Sequence, residues 1–181
     1  FGQNVYIPDA NFKAYLVGNS AINTNGDTEI QVSEATAYNG TIICYYMNIS
    51  DLTGIENFTA LTELICNDNQ LTSLDVSNNT ALTYLHCGFN QLTSLDVSNN
   101  TSLTYLNCVG SLITSLDVSQ NTSLTYLQCS VNQLTSLDVS SNTALDTLYC
   151  GANQLTSLDV TPHTVLSSLN CNWNQLTSLD V

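Results

Sequence analysis

Cationic side chains are almost missing from this sequence. Its 181 residues hold one Lys (Lys13), no Arg and fifteen acidic side chains, a formal net charge of −14 although only 9% of residues are charged. Such a surface repels phosphate backbones and anionic lipid, which excludes nucleic acid and direct membrane binding as partners and leaves divalent cations as the more compatible ions. Long apolar runs are missing too, so no segment reaches the roughly eighteen residues needed to cross a bilayer. The opening Phe1-Gly2-Gln3 has neither a basic region nor an apolar stretch of leader type. A composition poor in Lys and rich in Thr, Ser and Asn fits an exported chain whose leader has been removed. Proline occurs twice, at Pro8 and Pro162, and there is no Cys-x-x-Cys pair.

What is present is a period. From Leu61 the chain repeats itself every 21 residues, restarting at Leu82, Leu103, Leu124, Leu145 and Leu166. Cysteines mark the register: Cys66, Cys87, Cys108, Cys129, Cys150 and Cys171 are 21 apart, and Cys44 precedes them by 22. Each unit is nearly double, since L-T-x-L-x-C-x-x-N-Q is followed by L-T-S-L-D-V-S-x-N-T, a nested period of eleven and ten. In both halves apolar and polar residues alternate as in a half-buried strand, which predicts a mainly β solenoid of stacked coils with two parallel sheets. Residues 41–60 read as a degenerate first repeat and 61–181 as six repeats, the last incomplete. Because the chain stops in mid-unit at Leu179-Asp180-Val181, the natural protein is expected to continue.

Asn69, Asn90, Asn132, Asn153 and Asn174 form one column, and Asn79, Asn100, Asn121 and Asn142 a second. A side-chain amide both donates to and accepts from the turn backbone, so these asparagines are assigned to structure. Ser111 and His163 interrupt the columns, and looser turns are expected at both. The cysteines stand one rung apart on parallel strands, too far for the roughly 3.8 Å between Cβ atoms of a disulfide, and are expected to be free and buried.

Residues 1–40 differ in composition and read as a helical cap over the solenoid end. Pro8 to Val17 predicts a short helix with Phe12, Tyr15 and Leu16 on one face, closed by Gly18. The stretch from Asn23 to Glu34 has the spacing of an EF-hand calcium loop. Asn23, Asn25 and Asp27 take the first, third and fifth places, the Glu29 carbonyl the seventh, and Glu34 the bidentate twelfth. Asn in the first place and Thr28 where the loop wants Gly depart from that pattern. The competing reading is an Asn-Gly turn followed by a short helix.

The motif L-x-x-L-x-C-x-x-N-x-L resembles the leucine-rich repeat, in the bacterial 21-residue class. Asn48 to Leu64, N-I-S-D-L-T-G-I-E-N-F-T-A-L-T-E-L, resembles the junction between cap and repeats in listerial internalins, whose cap is a degenerate EF-hand. The combination of cap, repeat and composition is similar to exported proteins of Bacteroidota. These resemblances imply a non-catalytic binding or adhesion module, outside the cell or associated with the outer membrane, that recognises a protein or glycan through its variable strand face.

Comparison of rungs within the chain locates that face. L-T-S-L-D-V hardly changes, whereas outward places of the first half do: Glu63, Tyr84, Tyr105, Tyr126, Thr147 and Ser168 in one column, and Ile65, His86, Asn107, Gln128, Tyr149 and Asn170 in the next. Just past the strand come Asp68, Phe89, Gly110, Val131, Ala152 and Trp173. The candidate contacts are Tyr84, His86, Phe89, Tyr105, Asn107, Tyr126, Gln128, Tyr149 and Trp173, with the aromatic members as anchors. The tyrosines also suit a purely structural ladder. Two further readings concern the second half: the Asp column from Asp75 to Asp180 as a calcium row or a set of turn caps, and the Thr column from Thr72 to Thr177 as an ice-ordering face. Candidate acids and bases belong to repeated columns rather than to one convergent cluster, which argues against catalysis.

Overall fold

The computed structural model describes residues 2–179; Phe1 and the last member of the Asp column, Asp180, lie outside them, as does Val181. Two short helices, α1 (Ala10–Gly18) and α2 (Val32–Ala37), precede the strands β1 (Thr41–Ile43), β2 (Glu63–Ile65), β3 (Tyr84–His86), β4 (Tyr105–Asn107), β5 (Tyr126–Gln128), β6 (Thr147–Tyr149) and β7 (Ser168–Asn170). The strands form one seven-stranded parallel sheet in sequence order. Register is strict: Tyr84 pairs with Tyr105 and Tyr105 with Tyr126, so each side chain stands beside its own copy. This is a mainly β, leucine-rich-repeat solenoid.

A single core runs its length. Leu64, Leu85, Leu106, Leu127 and Leu148 from the strands, and Leu71, Leu92, Leu134 and Leu155 from the second half-repeats, are fully buried. The cysteines between them are free, with Cys66, Cys87, Cys108, Cys129 and Cys150 at zero exposure. Burial pushes the thiols of Cys44, Cys108 and Cys150 up to about 12 and also raises those of Cys66, Cys87 and Cys129 well above the ordinary thiol value, so they pack as small apolar groups rather than as nucleophiles.

The expected second sheet does not form. Among the described residues the second half-repeats carry one isolated parallel bridge, Asp75 to Asp96. The alternation is obeyed, with Leu and Val inward, but turn geometry takes over at once. Each Asp carboxylate accepts the amide two residues on, from Ser77, Ser98, Ser119, Ser140 and Thr161 at 2.8–2.9 Å. The next bonds close the turn, Asn79 N to Val76 O and Leu82 N to Asn79 O in the first copy. Period two reports an extended chain with one buried face; it does not report backbone pairing. The ice-ordering reading loses its premise with the sheet, because the Thr column lies at bends rather than on a flat strand face.

The two Asn columns behave differently. In the first, Asn90 donates to the carbonyls of Cys87 and, one rung back, Cys66, and accepts the Leu71 amide. Asn132, Asn153 and Asn174 repeat the pattern. In the second, Asn79, Asn100, Asn121 and Asn142 each donate to two carbonyls of the preceding rung, yet their buried Oδ1 atoms have no protein partner. His163 does not loosen its turn: the buried ring reaches Val139 O at 3.0 Å, the bond Asn142 makes to Val118, and the backbone closes as before. At Ser111 the loss is real, because its buried hydroxyl is too short to bond any neighbour.

The cap helix begins later than its Pro suggests. Asp9 is the N-cap, accepting the amides of Asn11 and Phe12 at 2.9 and 3.0 Å, and its second oxygen accepts the amide and hydroxyl of Ser50. Phe12 and Leu16 are fully buried and Tyr15 partly, its hydroxyl taking the Ile43 amide at 2.8 Å, so the helix covers the open end of the first rung.

Each rung leaves its strand through a left-handed residue. Positive φ is found at Asp68 (56°), Phe89 (52°), Gly110 (66°), Val131 (57°), Ala152 (52°) and Trp173 (61°), with Tyr46 (55°) in the first rung. An L-residue in this region costs roughly 1–2 kcal/mol, and a β-branched one is a particular misfit. Val131 is also 54% exposed, so little burial offsets the strain.

Val131→Gly should stabilise the protein by about 1 kcal/mol in denaturant unfolding; an unchanged or lower midpoint would show that the turn is not strained there. Ser111→Asn should restore the bonds to Cys87 O and Leu92 N and raise stability by about 1–2 kcal/mol. A loss on that substitution would mean that the rung has no room for the amide.

Candidate functional site

The outward face of the sheet is built on one column of stacked rings. Tyr84 and Tyr105 lie with centroids 4.0 Å apart and planes 6° from parallel; Tyr105 and Tyr126 are 4.4 Å apart at 6°. Tyr149, from the adjacent column, closes the row edge-on to Tyr126 at 6.0 Å and 80°, and its hydroxyl lies 3.0 Å from Ser168 Oγ. Burial and the neighbouring Tyr105 raise the Tyr126 phenol to about 12, and burial followed by Tyr105 raises Tyr84 as well, so these two phenols stay protonated. The ladder expected from the sequence is therefore formed, and the ring faces inside it are covered by one another. What remains outward is ring edges and hydroxyls.

The next column is partly tied down. Asn107 accepts the Val109 amide, Gln128 accepts the Ser130 amide and Asn170 that of Asn172, each at about 3 Å, so their carbonyl oxygens cap the turn that follows the strand. His86 is half-buried, and that burial lowers its pKa against the opposing pull of Asp68. Phe89 and Trp173 stand clear of the surface, at 52% and 86% exposure. The Phe89 ring lies over the next left-handed position, where a Cβ on Gly110 would approach it to 2.7 Å. Within these columns no carboxylate falls between Asp68 and Thr147, so the middle of the strand face is uncharged on a strongly acidic molecule.

The cap loop brings its expected ligands together but turns them onto itself. Asn23 is buried; its Oδ1 accepts the Gly26 amide while Nδ2 holds the carbonyls of Val17 and Asp27. Asn25 and Asp27 accept the amides of Asp27 and Glu29, and the second Asp27 oxygen takes the amides of Asn25 and Gln31. The Glu29 side chain pairs with Lys13 at 2.7 Å. Glu34 is a helix cap: one oxygen accepts the Thr24 amide and hydroxyl and the Asn25 amide, and the other the Gln31 amide in a capping box. Gly26, at φ 72°, supplies the turn. This donor set fits calcium poorly: Asp27 and Glu34 are its only unpaired carboxylates, and every one of their oxygens already accepts a hydrogen bond. Among the described residues no three His, Cys, Asp or Glu side chains gather as metal ligands, the Asp row included.

No family model matches the chain. A stretch of 75 residues, 41% of the chain, is 47% identical to Internalin J of Listeria monocytogenes, of which it covers 8%. The solved functional domain of the listerial internalin InlJ, which includes a cysteine ladder, is 36% identical, with 99% of this chain and 50% of that one covered and a TM-score of 0.63. A leucine-rich-repeat protein of Leptospira interrogans is 26% identical over 77% of this chain and 38% of its own, TM-score 0.68. Internalin C2, at 18% identity and TM-score 0.67, shares the fold. These relatives come from Listeria and Leptospira rather than Bacteroidota, and the chain spans at most half of InlJ and of the leptospiral protein. No helix among the described residues is long and apolar enough to cross a membrane.

Two measurements test the cap and the Asp row. The melting temperature should be unmoved by EDTA and lowered by Glu34→Gln, which sets an N–H against an N–H and should cost about 1 kcal/mol; a fall with EDTA would restore calcium. The carboxyl of Asp75 lies below its ordinary 3.8 because the hydroxyl and amide of Ser77 bond its charged form, and the copies Asp96, Asp117, Asp138 and Asp159 are lowered in the same way. Burial pushes Asp9 and Glu34 upward, but their amide and hydroxyl donors outweigh it and leave both lowered. A depressed folded-state pKa stabilises above the unfolded value and is lost as pH falls through the folded one. Stability should therefore decline progressively below the Asp reference of 3.8. A melting temperature that rises between pH 4 and pH 2 would contradict this.

Proposed function

We propose that this chain is the recognition module of an exported, surface-displayed protein, and that it takes up a protein partner on the outward face of its sheet, with the tyrosine row at the centre. The observation that carries the reading is the uncharged band of aromatic and amide side chains on a molecule of net charge −14. Aromatic side chains bury large area at little rotamer cost, and loss of charge is what distinguishes the centre of an interface. Likeness to InlJ supports the same direction. A protein suits the tyrosine row better than a glycan, because sugar rings bind on aromatic faces and the inner faces of that row are taken up by neighbouring rings. Nothing on the face pairs a nucleophile with a base, and the reading is of binding without chemistry.

Thr147 and Ser168 already occupy the column of the tyrosines, so the fold tolerates small residues there. Replacing Tyr84, Tyr105 and Tyr126 together by Thr should abolish capture of envelope or host-surface proteins in a pull-down while circular dichroism still shows the sheet. Undiminished capture by the folded variant would reject the face. The single Tyr105→Thr, which removes two stacking contacts, should cost about 1–2 kcal/mol of stability.

A further inference from the structure

The left-handed row beside the sheet is a surface in its own right. Tyr46, Phe89, Val131 and Trp173 occupy it at 71%, 52%, 54% and 86% exposure, so the strain of placing large side chains at positive φ is not returned by burial within the chain. Three of the four are aromatic and turn rings to solvent. The one Lys of the chain is not available to them, because it is held by both oxygens of Glu29 at 2.7 and 2.8 Å on the cap. The surrounding field, from a net charge of −14, attracts cations and repels acidic proteins, nucleic acid and anionic lipid. Asp68, in the same row between Tyr46 and Phe89, adds a carboxylate beside the rings.

We propose that this row is a docking ridge for a basic polypeptide segment, with arginine side chains of the partner lying on the rings of Tyr46, Phe89 and Trp173. The inference rests on the reading of the chain as a protein-binding module and adds the partner's chemistry. Arginine is favoured over lysine because the guanidinium is planar, weakly hydrated and stacks on aromatic faces. Tyr46 and Trp173 are six rungs apart, about 29 Å at strand spacing, the length of about nine extended residues.

Trp173 is the only Trp, so its emission reports on the ridge directly. The probes are ten-residue peptides with Arg at places 1, 4 and 10 and Gly or Ser between, which match the two-rung and four-rung gaps between the rings, and their Lys and Gln counterparts, with affinity measured by calorimetry. The Arg peptide should shift Trp173 emission, bind at least threefold more tightly than the Lys peptide and tenfold more tightly than the Gln peptide, and weaken as salt is added. Tyr46→Leu, Phe89→Leu and Trp173→Leu keep apolar bulk but remove the ring, and each should weaken the Arg peptide about threefold with the melting temperature unchanged. Equal affinity for the Arg and Gln peptides, or binding of neither, overturns the ridge. So does Arg binding that survives the Leu variants and is lost in Asp75→Asn/Asp96→Asn/Asp117→Asn, which places the peptide on the Asp row. Capture of a partner that depends on Tyr84, Tyr105 and Tyr126 but survives all three Leu variants overturns the ridge and leaves the strand-face reading intact.

Discussion

Parallel strands in strict register place every side chain about 4.8 Å from its own copy in the next rung, and the rest of this molecule answers to that spacing. A residue type is tolerated in a column according to what it does beside itself. Leucine and cysteine pack. Asparagine donates to the carbonyls of the rung before, and in the first column to its own rung as well, which turns repetition into a ladder. Tyrosine at this spacing stacks, and the observed 4.0 and 4.4 Å between centroids show the rings drawn slightly closer than the backbone rise. Aspartate is the awkward member, since like charges one rung apart repel. Its answer is local: each carboxylate from Asp75 to Asp159 binds the amide two residues ahead, at the entry to the turn.

The same spacing separates the two halves of each repeat. In the first, backbone amides point to the neighbouring rung and pair along three residues; in the second, the Asp and Asn turns follow so closely that pairing is confined to single bonds such as Gln91 N to Leu71 O. The second Asn column has no amide to receive, which is why the Oδ1 atoms of Asn79, Asn100, Asn121 and Asn142 stay unpaired while those of Asn90 and Asn132 do not. One half is therefore held chiefly by sheet bonds and the other by packing and turn caps. That asymmetry lets each rung close into a coil with only one pleated side, and the seven strands line up in one open sheet.

Much of this was legible in the sequence because it repeats. The 21-residue period located the strands, the inward Leu and Cys columns and the free thiols, all of which depend on side-chain pattern alone. The missing second sheet was not legible, since alternation is the same whether or not neighbouring backbones bond. His163 read as an interruption, yet an imidazole nitrogen reaches the same carbonyl as the amide it replaces. The tie from Asp9 to Ser50 joins positions 41 residues apart with no repeat to reveal it. The left-handed row was legible as variable positions but not as strained ones. Its occupants Phe89, Val131 and Trp173 are residues that composition rules place anywhere except at positive φ, and only Gly110 carries the expected mark.

The distribution of charge links these layers to recognition. Columns whose chemistry is fixed by the coil hold most of the acids, in the Asp row and the cap, where hydrogen bonds stabilise the charged forms. Columns that the coil leaves free carry almost none. A partner approaching at a distance meets the whole field of the molecule, whose sign is set by residues serving the turns, whereas at contact it meets uncharged rings and amides. Steering and binding are thus assigned to different columns of one repeat. A rung can change its outward tyrosine to threonine, or its left-handed alanine to tryptophan, without disturbing the Leu, Cys, Asn and Asp positions that hold it, and this separation is what makes the repeat usable as a recognition surface.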